Sequence, residues 1–156
     1  MRPLALGLLF VVTALAAAAR AQERDASVAV VVSASSKVGA LEMETLRDLF
    51  LRRRTLLPDG ARAVPINLPV GHHARERFSL LVLGRRPAEL SAYWDRLYYE
   101  GVRPPIVLPS AEAVRRYLQV DALAIGYLSA DEVDASMRVI VVFPTGAARP
   151  EAPSRR

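Results

Sequence analysis

Apolar positions along the chain change period several times, and each change marks an element. Ser27–Val32 (SVAVVV) is a β-branched run and reads as a strand with both faces buried. Ser33 to Gly39 is a polar turn. Leu41 to Arg53 then carries Met43, Leu46, Leu49 and Phe50 on one helical stripe, with Glu42 and Glu44 near its positive end and Arg52–Arg54 at its negative end. Pro58-Asp59-Gly60 is a turn signal, after which Val64, Ile66 and Leu68 alternate as a second strand. Pro65 points to a sheet edge or a strand start.

Ala74, Phe78, Leu81 and Val82 form the stripe of a second helix that Gly84 stops. A third helix is expected from Pro87 to Gly101, with Leu90, Tyr93, Trp94, Leu97 and Tyr98 inward. Ser110 is placed to cap a fourth helix carrying Val114, Tyr117 and Leu118. Ala124–Leu128 reads as a buried strand, Ser129 to Glu132 has capping-box spacing, and Arg138–Phe143 is the last strand. Strands alternating with helices predict an α/β fold: a single three-layer lobe with a mostly parallel sheet flanked by helices.

The two ends read differently. Arg2 followed by the uncharged run Leu4–Ala19 and by Ala19-Arg20-Ala21 has the form of a signal peptide over residues 1–21, with Gln22 as mature start. That predicts export to the periplasm and no stable membrane anchor after cleavage. Residues 22–144 form the expected domain. Residues 145–156, rich in Pro, Ala and Arg without period, are expected to be a disordered tail.

Composition narrows the chemistry. The 156 residues contain no cysteine, which excludes disulfides, thiolate metal sites and cysteine nucleophiles. Net charge is +5, and Arg2 and Arg20 of that excess lie in the export signal. The remainder suits a small anion or an acidic surface and is too weak to argue for nucleic acid.

Candidate chemistry sits at the two strand-to-helix turns, because ligands of open α/β sheets bind beyond strand ends and helix starts present free amides. Ser33, Ser35 and Ser36 offer hydroxyls in the first turn. In the second, Gly71 permits close backbone approach, His72 and His73 are donors when protonated, and Arg75 can clamp an oxyanion. The other reading is that the serines only satisfy turn backbone and that Arg75 and the two histidines are solvated. His72 and Glu76 lie one helical turn apart, but adjacent histidines diverge on a helix and no third ligand is near, so no metal or other cofactor is expected. The chain lacks the G-x-S-x-G, GxxxxGK[ST] and HExxH motifs, and no enzyme activity is expected. Arg52–Arg54 reads first as a solvated helix end, then as a phosphate or lipid patch. Tyr99 falls off the apolar stripe and is available to a partner.

Val30-Val-Val-Ser33, Leu41-Glu-Met-Glu-Thr-Leu-Arg-Asp-Leu-Phe50, Asn67-Leu-Pro, Arg75-Glu-Arg-Phe78 and Ala124-Ile-Gly-Tyr127 together resemble a known family. It is the short phosphate ABC transporter substrate-binding-like proteins, in the phosphate-binding branch of the type 2 periplasmic binding protein superfamily. The resemblance covers residues 27 to 142. It implies a periplasmic lobe recognising phosphate or a related oxyanion, linked to ABC-type uptake through a transporter permease or another periplasmic protein. In full-length relatives a glycine-serine-glycine-threonine turn holds the anion. The matching place here is Gly71-His72-His73-Ala74, which keeps one glycine and lacks the hydroxyls. The oxyanion-binding residues expected are therefore Ser35, Ser36, Gly71, His72, His73 and Arg75. The other reading is a single-lobe protein-interaction module that has lost anion binding.

Overall fold

The structure, a computed structural model, describes residues 27–146. The expected export signal at 1–21 and the tail from 147 onward lie outside the described residues. Five strands form one sheet: β1 (Val28–Ser33), β2 (Val64–Asn67), β3 (Ile106–Val107), β4 (Ala124–Ser129) and β5 (Met137–Phe143), in the order β3-β2-β4-β1-β5. The helices are α1 (Met43–Phe50), α2 (His73–Phe78), α3 (Ser91–Tyr99) and α4 (Ala111–Val120). α2 runs on without a break as a π-helical turn over Ser79–Leu83, and a 3-10 turn, Pro87–Leu90, leads into α3.

β2 pairs in parallel with both β3 and β4, whereas β1 is antiparallel to β4 and to β5. Four strands therefore run one way and β1 alone runs against them. The sheet is mostly parallel in direction and mixed in pairing. The reversal has a consequence for the site, since Val28 opposes Ser129 and the end of β1 lies beside the start of β4.

Successive residues of a strand face opposite sides, and β4 uses both. Tyr127 stacks on Phe78 of α2, ring centroids 4.0 Å apart, and meets Phe50 of α1 at 5.8 Å. The neighbouring Gly126 faces α4, where an added Cβ would come within 2.8 Å of Val114. α1 and α2 thus cover one face and α4 the other, the three layers expected. The core is continuous through them, from Val28 to Phe143.

Several elements differ in detail. Pro65 is the second residue of β2, so it sits at the strand start that the sequence allowed, and it is buried between two strands rather than on the sheet's rim. It is tolerated because β3 pairs only with Ile66 and Asn67, so that side of Pro65 has no ladder to break. α1 ends at Phe50, not Arg53. Its exit has Schellman geometry: the Arg53 amide donates to the Asp48 carbonyl and the Arg52 amide to that of Leu49. Arg52 takes the left-handed position with φ 58°, where glycine is the unstrained choice. Arg52→Gly is expected to stabilise the fold by about 1 kcal/mol, read as a melting temperature about 3 °C higher. A fall would show that the Arg52 side chain outweighs its backbone strain. Finally, α3 buries none of its nine residues. Tyr98, expected on the apolar stripe, is 68% exposed, and Tyr99 is 90% exposed.

Candidate functional site

The six residues expected to bind an oxyanion do not come together. Ser35 and Ser36 follow β1, at the start of β4, where the Ser36 hydroxyl donates to the Ala122 carbonyl at 2.5 Å. Ser36 also accepts from the Val38 amide, and the Ser35 hydroxyl bonds to Ser33. Gly71–Arg75 lie at the opposite edge of the sheet, about 17 Å away along a six-residue strand. The reversed sense of β1 is the physical reason. The serine hydroxyls are engaged where they stand, Ser35 with Ser33 and Ser36 with Ala122 and Val38, and they lie apart from the second turn.

The second turn does assemble a cluster. Beyond β2, Leu68-Pro69-Val70-Gly71-His72 turns into α2, with the His72 amide donating to the Pro69 carbonyl. Gly71 has φ +89°, and a Cβ there would meet nothing within 4 Å. Backbone conformation, not crowding, calls for glycine, and the space in front of the turn is open. His72 is the N-cap, and the Glu76 amide makes the first intrahelical bond, to the His72 carbonyl. The amides ahead of it, from His73 to Arg75, lie in the first turn, where a helix has no acceptors of its own.

His72 and His73 stack with ring centroids 4.7 Å apart. The His73 Nε2 hydrogen-bonds the Ser129 hydroxyl at the end of β4. The Ser129 amide in turn donates to Glu132, closing the capping box expected from the sequence. His72 Nδ1 is buried without a partner. Its pKa is lowered, first by burial and then by His73, with Glu132 opposing. Folded His72 therefore binds a proton more weakly than the unfolded chain does. As pH falls below the ordinary histidine value, 6.5, the unfolded state gains protons first and the ligand-free fold loses stability. Melting temperatures at pH 8 and pH 5.5 should show this fall, and His72→Asn should shrink it. An unchanged slope in the variant would assign the effect to other groups.

Arg75 departs most from expectation. It points inward and is only 6% exposed. Its guanidinium donates to the Leu68 carbonyl at 3.3 Å, while Nε has no partner. Among the described residues it makes no ion pair. Beside it, the Tyr127 hydroxyl accepts from the Leu68 amide (3.2 Å) and donates to Asn67 Oδ1 (3.1 Å). Burial pushes the Tyr127 pKa up, and Arg75 is the main opposing influence, so the phenol stays neutral and the positive charge is not cancelled by it. Asn67 and Tyr127 were not anticipated as site residues. Their signal was a polar group in an otherwise apolar strand: Asn67 closes β2, and Tyr127 carries a hydroxyl inside β4. The result is a buried cation carried by the first turn of α2 and held to the Leu68 carbonyl.

This geometry sits in a fold already known. The domain superposes on a phosphate ABC transporter substrate-binding protein of Clostridium perfringens solved with bound phosphate, with TM-score 0.58 and 20% identity over 74% of this chain and 45% of that one. An ABC-type phosphate transport receptor from Vibrio cholerae gives TM-score 0.58 and 19% identity over 74% and 46%. PstS from Borrelia burgdorferi gives 0.52 and 14% over 80% and 50%. The fold is that of the phosphate-transport receptors. The chain spans about half the length of each of these receptors. No known family pattern matches the sequence, and no curated protein is similar to it. These neighbours are named as binding or transport proteins. Among the described residues no helix is long and apolar enough to cross a membrane, and no group of His, Asp and Glu is arranged to hold a metal.

Proposed function

We propose that the chain is an exported, periplasmic receptor lobe that binds phosphate or a related small oxyanion at the Gly71–Arg75 turn, and that it serves ABC-type uptake. One observation carries this reading: Arg75, in the first turn of α2, is buried and makes no ion pair among the described residues, its Nε without a partner. A buried charge without a counter-ion is costly, and an anion seated at the helix start would supply one. The phosphate-bound neighbour of the same fold supports the choice of anion. The charge-free run Leu4–Ala19 with its small-x-small end supports export.

In this reading Gly71 lets the turn adopt its left-handed corner, the α2 amides face the ligand, His73 is fixed by Ser129, and Arg75 supplies charge from below. Calorimetric titration of the chain with phosphate and then sulfate at low salt is expected to give micromolar binding, about −8 kcal/mol. A folded chain that gives no heat with either anion would overturn the assignment.

A protein-interaction module is the second reading. It is favoured by α3, which presents Tyr98 and Tyr99 to solvent. It would be supported by a periplasmic protein retained by the chain and released by Tyr99→Ser, with anion titrations silent. A monomer that retains no partner would count against it.

A further inference from the structure

The proposed anion turn already holds a carboxylate. Glu76, in the first turn of α2, folds back so that its Oε1 accepts the Gly71 amide at 3.2 Å. Its own backbone amide is committed to the His72 carbonyl, so the side chain, not the helix, reaches over the turn. The position suits a negative charge for the same reason that it would suit an external anion: the Gly71 amide is presented there, just ahead of the start of α2. Gly71 is otherwise open, with nothing within 4 Å of where a Cβ would stand. The contact is at the solvent-exposed rim, so the carboxylate can leave without breaking buried structure.

We propose that Glu76 is an internal competitor for the oxyanion site: its carboxylate occupies the Gly71 amide and must swing away, or share the turn with a like charge, when an anion binds. This rests on the oxyanion reading above. Displacing it costs a charge-assisted hydrogen bond, and leaving it in place costs repulsion at short range. Either way Glu76 sets the affinity of the turn well below what its amides and Arg75 alone would give.

The test is calorimetric titration of inorganic phosphate into the full chain, its Glu76→Gln variant and its Glu76→Ala variant, each checked by thermal melting. Gln keeps an acceptor for the Gly71 amide while removing the charge, so it remains useful if Ala weakens the turn. Internal competition predicts at least tenfold tighter phosphate binding in Glu76→Ala and a smaller gain in Glu76→Gln. A cap that only stiffens the turn predicts the reverse: equal or weaker binding together with a lower melting temperature. That result would overturn the proposal and leave the oxyanion reading intact. No binding by the parent or by either folded variant would overturn both.

Discussion

Phe78→Ala is expected to destabilise the domain by about 4 kcal/mol, the usual cost of emptying a large aromatic site in a core. For a domain of this size that is a melting temperature about 15 °C lower. Phe78 is fully buried and lies between two rings, 4.6 Å from Phe50 and 4.0 Å from Tyr127. It joins α1, α2 and β4 at one point, so neighbouring side chains cannot close the gap without moving a helix. The effect should reach the turn as well. Tyr127 holds the Leu68 amide and Asn67, and loses its stacking surface when Phe78 is truncated. Phe78→Leu should cost less than half as much. A loss below about 1.5 kcal/mol for Phe78→Ala, in thermal or urea unfolding, would mean that this junction is not the centre of the core.

Arg75→Met is expected to separate folding from function. If Arg75 were a structural residue, its loss would leave the Leu68 carbonyl unpaired and lower stability. A buried cation with no carboxylate partner, however, already carries an unfavourable desolvation cost, and an apolar side chain of similar length relieves it. The ligand-free variant should therefore melt at or above the parent's temperature. Phosphate affinity should fall about 100-fold, the scale expected when one partner of a close charge pair is removed. Thermal melts with and without phosphate read both arms. A variant that melts lower yet keeps the parent's affinity would make Arg75 a brace for the β2–α2 turn and nothing more.

Most elements were legible in the sequence because burial there follows a simple period. Leu46, Leu49 and Phe50 on α1, and Ala74, Phe78, Leu81 and Val82 on the second helix, are all buried as their spacing requires. Ser110 caps α4, its hydroxyl accepting the Ala113 amide at 3.2 Å. What a period cannot carry is direction. A β-branched run such as Val28–Val32 reads the same whether its strand points up or down the sheet. The reversed sense of β1 was therefore hidden, and with it the separation of Ser35 and Ser36 from Gly71. β3, with two residues, is too short to have a period at all. The stripe through Tyr93, Trp94 and Tyr98 has helical spacing, and Tyr93 and Trp94 do pack partly buried against the core, but α3 lies on the surface and leaves Tyr98 exposed.

The site was half legible for a related reason. Gly71 before a helical pattern marks a turn, and its positive φ follows. Arg75 was expected to clamp an oxyanion or to lie in solvent, and its burial was not legible, since arginine is rarely buried without a partner. Its position at the base of α2, one position beyond the buried Ala74 and three before Phe78, places it partly over the core. Ser129 was expected to cap the turn that follows β4, and it does. Its second bond, to His73, joins residues 56 apart in the chain and needs the β2–β4 pairing to exist.

The most direct test of the oxyanion site is a phosphate titration followed through the backbone amide resonances of the folded chain. The account predicts saturable shifts concentrated at Gly71, His73, Ala74 and Arg75, with the Ser35–Ser36 turn unmoved. Shifts centred on Ser35 and Ser36, or no saturable shift at the start of α2, would contradict it.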